Sequence, residues 1–222
     1  MSSILPLFAV MSSGLITIPI LLFRRWPNLR EASTFFAAIV KFVIVIILLL
    51  GFLKGSVAEF TFCQLLPGLN LAFRVDGLGL VFGLVASSLW IVTSIYSIGY
   101  MRSLKEHSQT RFFCFFAIAL SATIGVAFSA NLLTMYLFYE LLSLSTFPLV
   151  THHQDQAART GGRTYLAHLL GSSVGLALPA MIITYMITGD LTFNLGGVFD
   201  AQSLSPLLIL LLGMFLYGFA KS

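Results

Sequence analysis

Residues 131–150, NLLTMYLFYELLSLSTFPLV, form an apolar stretch with one charged residue, Glu140. A transmembrane helix needs about 20 mostly apolar residues to cross roughly 30 Å of hydrocarbon, and this stretch has that length. Glu140 lies nine positions after Asn131, which is about 14 Å along a helix and close to the middle of a bilayer. The stretch therefore predicts a transmembrane helix that carries an acidic group at depth.

Six further apolar runs of comparable length surround this stretch. Each run is long enough to cross a membrane as a helix. The six runs cover residues 4–23, 33–53, 78–101, 112–129, 164–187 and 204–222. Together with residues 131–150 they predict an all-α, polytopic membrane protein with about seven transmembrane helices.

The composition supports the membrane assignment and excludes several other classes of protein. Of the 222 residues, 58% are hydrophobic and 9% are charged, whereas a soluble domain carries about 25% charged residues. A disordered chain, a disulfide-rich secreted module and a nucleic-acid-binding domain each need lower hydrophobicity or a clustered basic surface. We therefore expect a lipid bilayer around this chain and no nucleic-acid partner.

The basic residues predict the orientation of the bundle, because loops on the cytoplasmic side are enriched in Lys and Arg. Three alternate loops, after the first, third and fifth runs, carry most of the basic charge. These residues are Arg24, Arg25, Arg30, Arg102, Lys105, Arg111, Arg159 and Arg163. We expect these loops inside and the N-terminus outside, in a bacterial inner membrane.

Two ionisable residues at depth are the strongest candidates for function, because such residues are costly in hydrocarbon and commonly mark ion paths. Glu140 is flanked at helical spacing by Tyr136 and Ser143, which gives one polar stripe on the fifth helix. Lys221 lies fifteen residues after Pro206, about 22 Å along the last helix. A Glu and a Lys at comparable depth would pair, although a structural hydrogen-bond network around Glu140 is the alternative.

Three further residues have weaker signals. Lys41 is close enough to the inner end of the second helix for its side chain to bend back to the headgroups, which is the interpretation we favour. His168 is either a proton relay or an interfacial histidine. Pro179 predicts a kink in the sixth helix that leaves the carbonyl of Gly175 without its usual donor, either beside an ion path or in ordinary small-residue packing.

No motif in the sequence indicates a cofactor or a metal. Cys63 and Cys114 are far apart and lack the spacing of metal ligands. His152 and His153, beside Asp155, have too few further ligands in their own stretch, so we expect a solvated loop there. The sequence predicts no catalytic residue, no metal and no cofactor on this chain.

Four stretches resemble the antiporter-like subunits shared by Mrp-type cation/proton antiporters, respiratory complex I and membrane-bound hydrogenases, most of all the D-type subunits of Mrp antiporters. They are FRVDGLGLVFGLVASSLWIVTSIYSIGYM (73–101), NLLTMYLFYELLSLSTFPLV (131–150), AARTGGRTYLAHLLGSSVGL (157–176), and TGDLTFNL (188–195) with GMFLYGFAKS (213–222). The resemblance covers essentially the whole chain. It implies that Glu140 and Lys221 correspond to the glutamate and lysine of the family's proton path.

The resemblance also implies an organisation. Family members contain two inverted five-helix repeats, the first of which would begin at the fourth helix here. Residues 1–111 would then hold helices one to three with an outer loop at 54–77, and residues 112–222 an incomplete first repeat, truncated at helix seven. The chain would be an N-terminal portion of a longer subunit, either a fragment or one half of a split gene.

The expected function is proton translocation through the pair of Glu140 and Lys221, with Na+ as a further candidate ion. The implied partners are other membrane subunits of an Mrp antiporter, a complex I or a hydrogenase, including the missing C-terminal half. Any NADH–quinone oxidoreductase activity would belong to the whole complex. Two alternatives stay open: a structural or assembly subunit that transports nothing, and a retinal-binding seven-helix protein, which would need an acidic counter-ion that residues 78–101 lack.

Overall fold

The computed structural model describes residues 2–199 and 206–220, and nearly all of the apolar sequence in this range is helical. Six helical segments are long and apolar enough to cross a membrane, and a shorter apolar helix of 14 residues follows them. The helices are α1 (Leu5–Leu15), α2 (Thr17–Leu22), α3 (Pro27–Leu53), α4 (Gly77–Ser103), α5 (Gln109–Ala127), α6 (Leu132–Val150), α7 (Gln156–Ser172), α8 (Leu178–Thr188) and α9 (Pro206–Phe219). The polytopic helical fold predicted from the sequence is confirmed.

Two helices begin earlier than the hydropathy pattern predicted, because their first turns are polar. α3 begins at Pro27, in the first helical position, where the missing proline N–H costs nothing. α7 begins at Gln156, and the Asp155 side chain accepts a hydrogen bond from the Ala158 amide at 2.6 Å. Counting apolar residues alone omits such turns, so the predicted starts at residues 33 and 164 were six and eight residues late.

The loop at 54–77 contains a β-hairpin that the hydropathy pattern did not predict. Strands β1 (Glu59–Leu66) and β2 (Leu69–Arg74) pair antiparallel, and the turn between them places Gly68 at a φ of 73°, a conformation that favours glycine. Asn131 Nδ2 donates to the Asn70 carbonyl at 2.6 Å, and the Tyr185 hydroxyl donates to the Pro67 carbonyl at 2.8 Å. The hairpin thus connects the starts and ends of several spans at one end of the bundle.

At the opposite end, charged side chains connect α3, α4 and α5. Arg102 forms an ion pair with the buried carboxylate of Glu31. Arg30 also contacts Glu31, at 3.3 Å, and its guanidinium nitrogens donate to Gln109 at 2.7 Å and Thr110 at 3.1 Å. Loops that the basic residues predict on one side of the membrane therefore lie at one end of the bundle.

Helix α5 connects much of the bundle, because it packs against α1, α2, α4 and α6. One apolar cluster joins α1, α3, α4 and α5 to the hairpin. Another joins α6 to the α7–α8 segment and receives Phe215 and Phe219 from α9. The last described helix is therefore held against the face of the bundle formed by α6, α7 and α8.

Candidate functional site

α6 carries Glu140 near the middle of a membrane span. The Asn131 side chain accepts a hydrogen bond from the Thr134 amide at 2.8 Å and so fixes the first turn of the helix. Glu140 follows Leu132, the first helical residue, by eight positions, about 12 Å along the axis. A carboxylate on a two-carbon stem is too short to reach the headgroups from that depth.

One carboxylate oxygen of Glu140, Oε1, is buried and has no hydrogen-bond partner among the residues that the structure describes. Leaving a buried acceptor unpaired costs about 1–3 kcal/mol, and more when the group is charged. Native proteins therefore pair nearly all such atoms. The Glu140 side chain thus presents an acceptor that a cationic donor would satisfy.

The end of α9 contacts Tyr139, the residue before Glu140 on α6. The Tyr139 hydroxyl donates a hydrogen bond to the Phe219 carbonyl at 2.8 Å, and the two rings pack edge to face with centroids 5.1 Å apart. Phe219 is the last residue of α9. This contact fixes the point from which the chain continues towards Lys221.

A wide helical turn lets α9 approach closely. Ser173–Ala177 forms a π-helical turn between α7 and α8, and the Leu178 amide bonds to the Ser173 carbonyl. Pro179 follows this turn, which lies where the sequence predicted a kink. A Cβ on Gly218 of α9 would lie 2.5 Å from the Ala177 backbone nitrogen, so only glycine fits this contact. Single π turns are frequent at functional sites.

Tyr136 and Ser143 flank Glu140 on α6, as the spacing predicted. Both are buried, with 7% and 0% of their surface exposed. The Ser143 hydroxyl donates to the Tyr139 carbonyl at 3.0 Å. The two residues that flank Glu140 therefore lie inside the bundle and not on its lipid-facing surface.

His168 and Lys221 are the two remaining candidate residues of the proton path. His168 is exposed on α7, and no hydrogen bond, ion pair or ring contact joins it to Glu140 within residues 2–199 and 206–220. Lys221 lies outside the described residues, two positions after Phe219. Their roles stay predictions.

Lys41 is buried, and the prediction that its side chain bends back to the headgroups was wrong. It is 0% exposed, and its ammonium donates to the hydroxyl of Ser13 and, at 3.3 Å, to the carbonyl of Leu120. The same nitrogen lies 5.2 Å from the centre of the Trp90 ring, a cation–π distance. Within the described part of the chain, no carboxylate oxygen lies within 4.0 Å of it.

One sequence signal could have identified this second buried site. Lys41 follows Thr34, Ala37 and Ala38 at helical spacing, and all of these residues are buried on one face of α3. Small residues one turn before a lysine indicate a helix face that packs tightly, where a long side chain has no route along the helix exterior. The position of Lys41 around the helix axis, and not only its depth, therefore predicts its burial.

Two family models match adjacent parts of the chain. Residues 68–113 match the NADH-ubiquinone oxidoreductase (complex I) chain 5 N-terminus, and residues 129–221 match the transmembrane region of NADH:quinone oxidoreductase/Mrp antiporter subunits. The second match includes both Glu140 and Lys221.

Relatives of known name agree with these matches. The A1 subunit of the Na(+)/H(+) antiporter from Staphylococcus aureus strain bovine RF122 is 32% identical over 160 residues, which are 65% of this chain and 20% of that protein. The A1 subunit from strain JH9 gives the same values. The chain thus spans about a fifth of the length of these relatives, which are A-type and not the D-type subunits that the sequence resemblance favoured.

A solved structure shows the same fold. A chain of the membrane-bound sulfane sulfur reductase, an archaeal respiratory membrane complex, superposes with a TM-score of 0.77 at 17% identity. The superposition covers 95% of this chain and 32% of that one. This likeness shows the fold, and the two family models show that the chain belongs to the antiporter-like membrane subunits shared by complex I and Mrp antiporters.

Proposed function

We propose that this chain is part of a proton-translocating subunit in which Glu140 and Lys221 form the charge pair that holds and releases the proton. The observation that carries the proposal is the contact between Tyr139 and Phe219. It brings the end of α9 to the residue next to Glu140, whose Oε1 lacks a partner among the described residues.

The geometry of the chain allows the pair to form. Two residues extend at most about 7 Å, and Lys221 follows Phe219 by two positions. The lysine adds a flexible four-carbon stem to that distance. We propose that this length carries the ammonium group from the Phe219 carbonyl, which lies 2.8 Å from the Tyr139 hydroxyl, to the carboxylate on the following residue of α6.

A pair of this kind can act as a switch. Each charge alone is costly in a region without water, and each favours the charged form of the other. When the two separate, the lysine loses the charge that stabilises its protonated form. It then favours the neutral form and releases its proton. The buried hydroxyls of Tyr136 and Ser143 lie one turn away on either side of Glu140 and would pass the proton on.

The remaining assignments belong to the same proposal. We place residues 1–111 in an N-terminal three-span part and 112–222 in the first antiporter-like repeat, in a bacterial inner membrane with the N-terminus outside. Neighbouring membrane subunits of an Mrp antiporter or respiratory complex would cover the exposed His168, which would then relay protons at the end of the path. Na+ would be the exchanged cation, and any redox chemistry would take place on other subunits.

The test is ion flux in membrane vesicles that carry the complete assembly. Glu140→Gln and Lys221→Ala should each abolish proton flux, because each leaves the other charge without a partner. Glu140→Asp should keep part of the flux, and Glu59→Gln, which changes an exposed acid of the hairpin, should keep all of it. Normal flux in the Gln and Ala variants, with normal assembly on native gels, would show that the pair is structural.

A further inference from the structure

Two loops meet at the end of the bundle that carries Glu31 and Arg102. Glu106 and His107 lie between α4 and α5, and His152 follows α6. The Glu106 Oε2 atom is 3.6 Å from His107 Nδ1 and 3.8 Å from His152 Nε2. One ligand atom from each of the three residues lies within 4.8 Å of the other two.

The two separations from Glu106 are close to the spacing of ligands around a tetrahedral metal ion. Zinc binds imidazole nitrogen and carboxylate oxygen at about 2.0–2.2 Å, so two ligand atoms at neighbouring corners of the tetrahedron lie about 3.4 Å apart. The contacts of Glu106 with the two histidines exceed that spacing by only a few tenths of an ångström. Small side-chain rotations would bring the three atoms around one ion.

The state of His152 is a second and independent observation. Both of its ring nitrogens are buried and make no hydrogen bond among the described residues. An ion at Nε2 would supply a partner for a buried nitrogen that makes no hydrogen bond in the described part of the chain.

We infer that Glu106, His107 and His152 form a binding site for a divalent transition-metal ion, with Zn²⁺ as the ion that the ligand set favours. Two imidazoles and one carboxylate are typical ligands of Zn²⁺. The exposed His153, whose ring lies 5.9 Å from that of His152 and 6.0 Å from that of His107, can supply the fourth ligand. The sequence alone predicted no metal here, because the ligands come from two loops 45 positions apart.

The site would join two parts of the chain. Its ligands follow α4, the third span, and α6, the helix that carries Glu140. Arg111 Nη2 already donates to the His152 carbonyl at 2.6 Å and helps to fix that corner. The positive charge of Arg111 disfavours a bound cation, and the negative charge of Glu106 compensates for that effect. We therefore expect a Kd on the order of 1 μM rather than the tighter binding of a closed structural site. This inference does not depend on proton translocation by Glu140.

Binding of Zn²⁺ and Co²⁺ to the full chain, purified without a histidine tag, tests the site. We expect one equivalent of metal per chain and, with Co²⁺, the visible absorption of a tetrahedral complex. His107→Ala, His152→Ala and Glu106→Gln should each weaken binding by about 100-fold. His168→Ala is the matched control, because it removes the histidine that lies outside the cluster, and it should leave binding unchanged.

A measurement on the unaltered chain covers the case in which a variant does not fold. Zn²⁺ should protect the half-exposed His107 from diethylpyrocarbonate, as read by mass spectrometry, while the exposed His168 stays reactive. Equal reactivity of His107 with and without Zn²⁺ would overturn the proposal. So would binding that survives the loss of both His107 and His152.

Discussion

The close approach of α9 to the π turn predicts that Gly218→Ala will impair transport without preventing assembly. A Cβ at position 218 would lie 2.5 Å from the Ala177 nitrogen, 2.7 Å from its Cβ and 2.9 Å from its Cα. Carbon atoms in contact prefer separations of about 3.5–4.0 Å. Because two of the three atoms belong to the backbone, no rotation of a side chain removes the clash, and α9 must withdraw by about 1 Å.

The magnitude follows from the position of this contact. Gly218 is adjacent to Phe219, which contacts Tyr139. Lys221 follows Gly218 by three positions. A misplacement of about 1 Å in a reacting group costs on the order of 100-fold in rate, which corresponds to about 2.7 kcal/mol. Overpacking of a core costs about 1–3 kcal/mol of stability. A bundle with this many interhelical contacts should tolerate that loss.

The assay is the rate of proton flux in vesicles that carry the complete assembly, normalised to the amount of the chain in the membrane. Gly213→Ala is the matched control, because it adds the same methyl group to α9 at a position with no atom within 4 Å. Ala177→Gly in the Gly218→Ala background should restore part of the flux, since it removes one of the three close contacts. Wild-type flux in Gly218→Ala would refute the argument that this contact positions Lys221.

Three further outcomes follow from the structure. Lys41→Ala should lower the free energy of unfolding by about 2 kcal/mol or more, because it leaves a cavity and unpaired acceptors in the core; thermal denaturation should show no such change for the exposed Lys54→Ala. Asn131→Ala should cost about 1 kcal/mol by removing the cap of α6, which the same measurement detects. Cys63, in the hairpin, should react with a membrane-impermeant maleimide added outside intact cells, whereas a cysteine introduced by Lys105→Cys should react only from the inside; the reverse pattern would contradict the orientation.

The number and nature of the spans could be predicted from the sequence, because the cost of apolar surface in water and of charge in hydrocarbon is a property of each residue. The first residues of α3 and α7 could not be predicted from hydropathy. Their first turns are polar and depend on Pro27 and Asp155, which act through local backbone geometry. Helix signals of this kind must be read separately from the apolar count.

The β-hairpin was missed for a different reason. Its pairing is stabilised from outside the hairpin, by Asn131 and by Tyr185, which lie far away in the sequence. A two-stranded hairpin alone is marginally stable in water, so its own residues carry a weak signal. The sequence does indicate the turn at Pro67 and Gly68, since proline followed by glycine favours a tight turn.

Whether an ionisable residue is buried depends both on its depth along the span and on how its helix packs. Depth alone was enough to identify Glu140, because its short side chain cannot reach the headgroups in any orientation. Lys41 has a longer stem, so depth alone left two outcomes, and the packing of α3 against Ser13 and Trp90 decided between them. The contact of Lys41 with Leu120 lies on α5, which also packs against α6, the helix of Glu140. Helix α5 therefore packs both against helices that precede residue 111 and against the helix that carries Glu140.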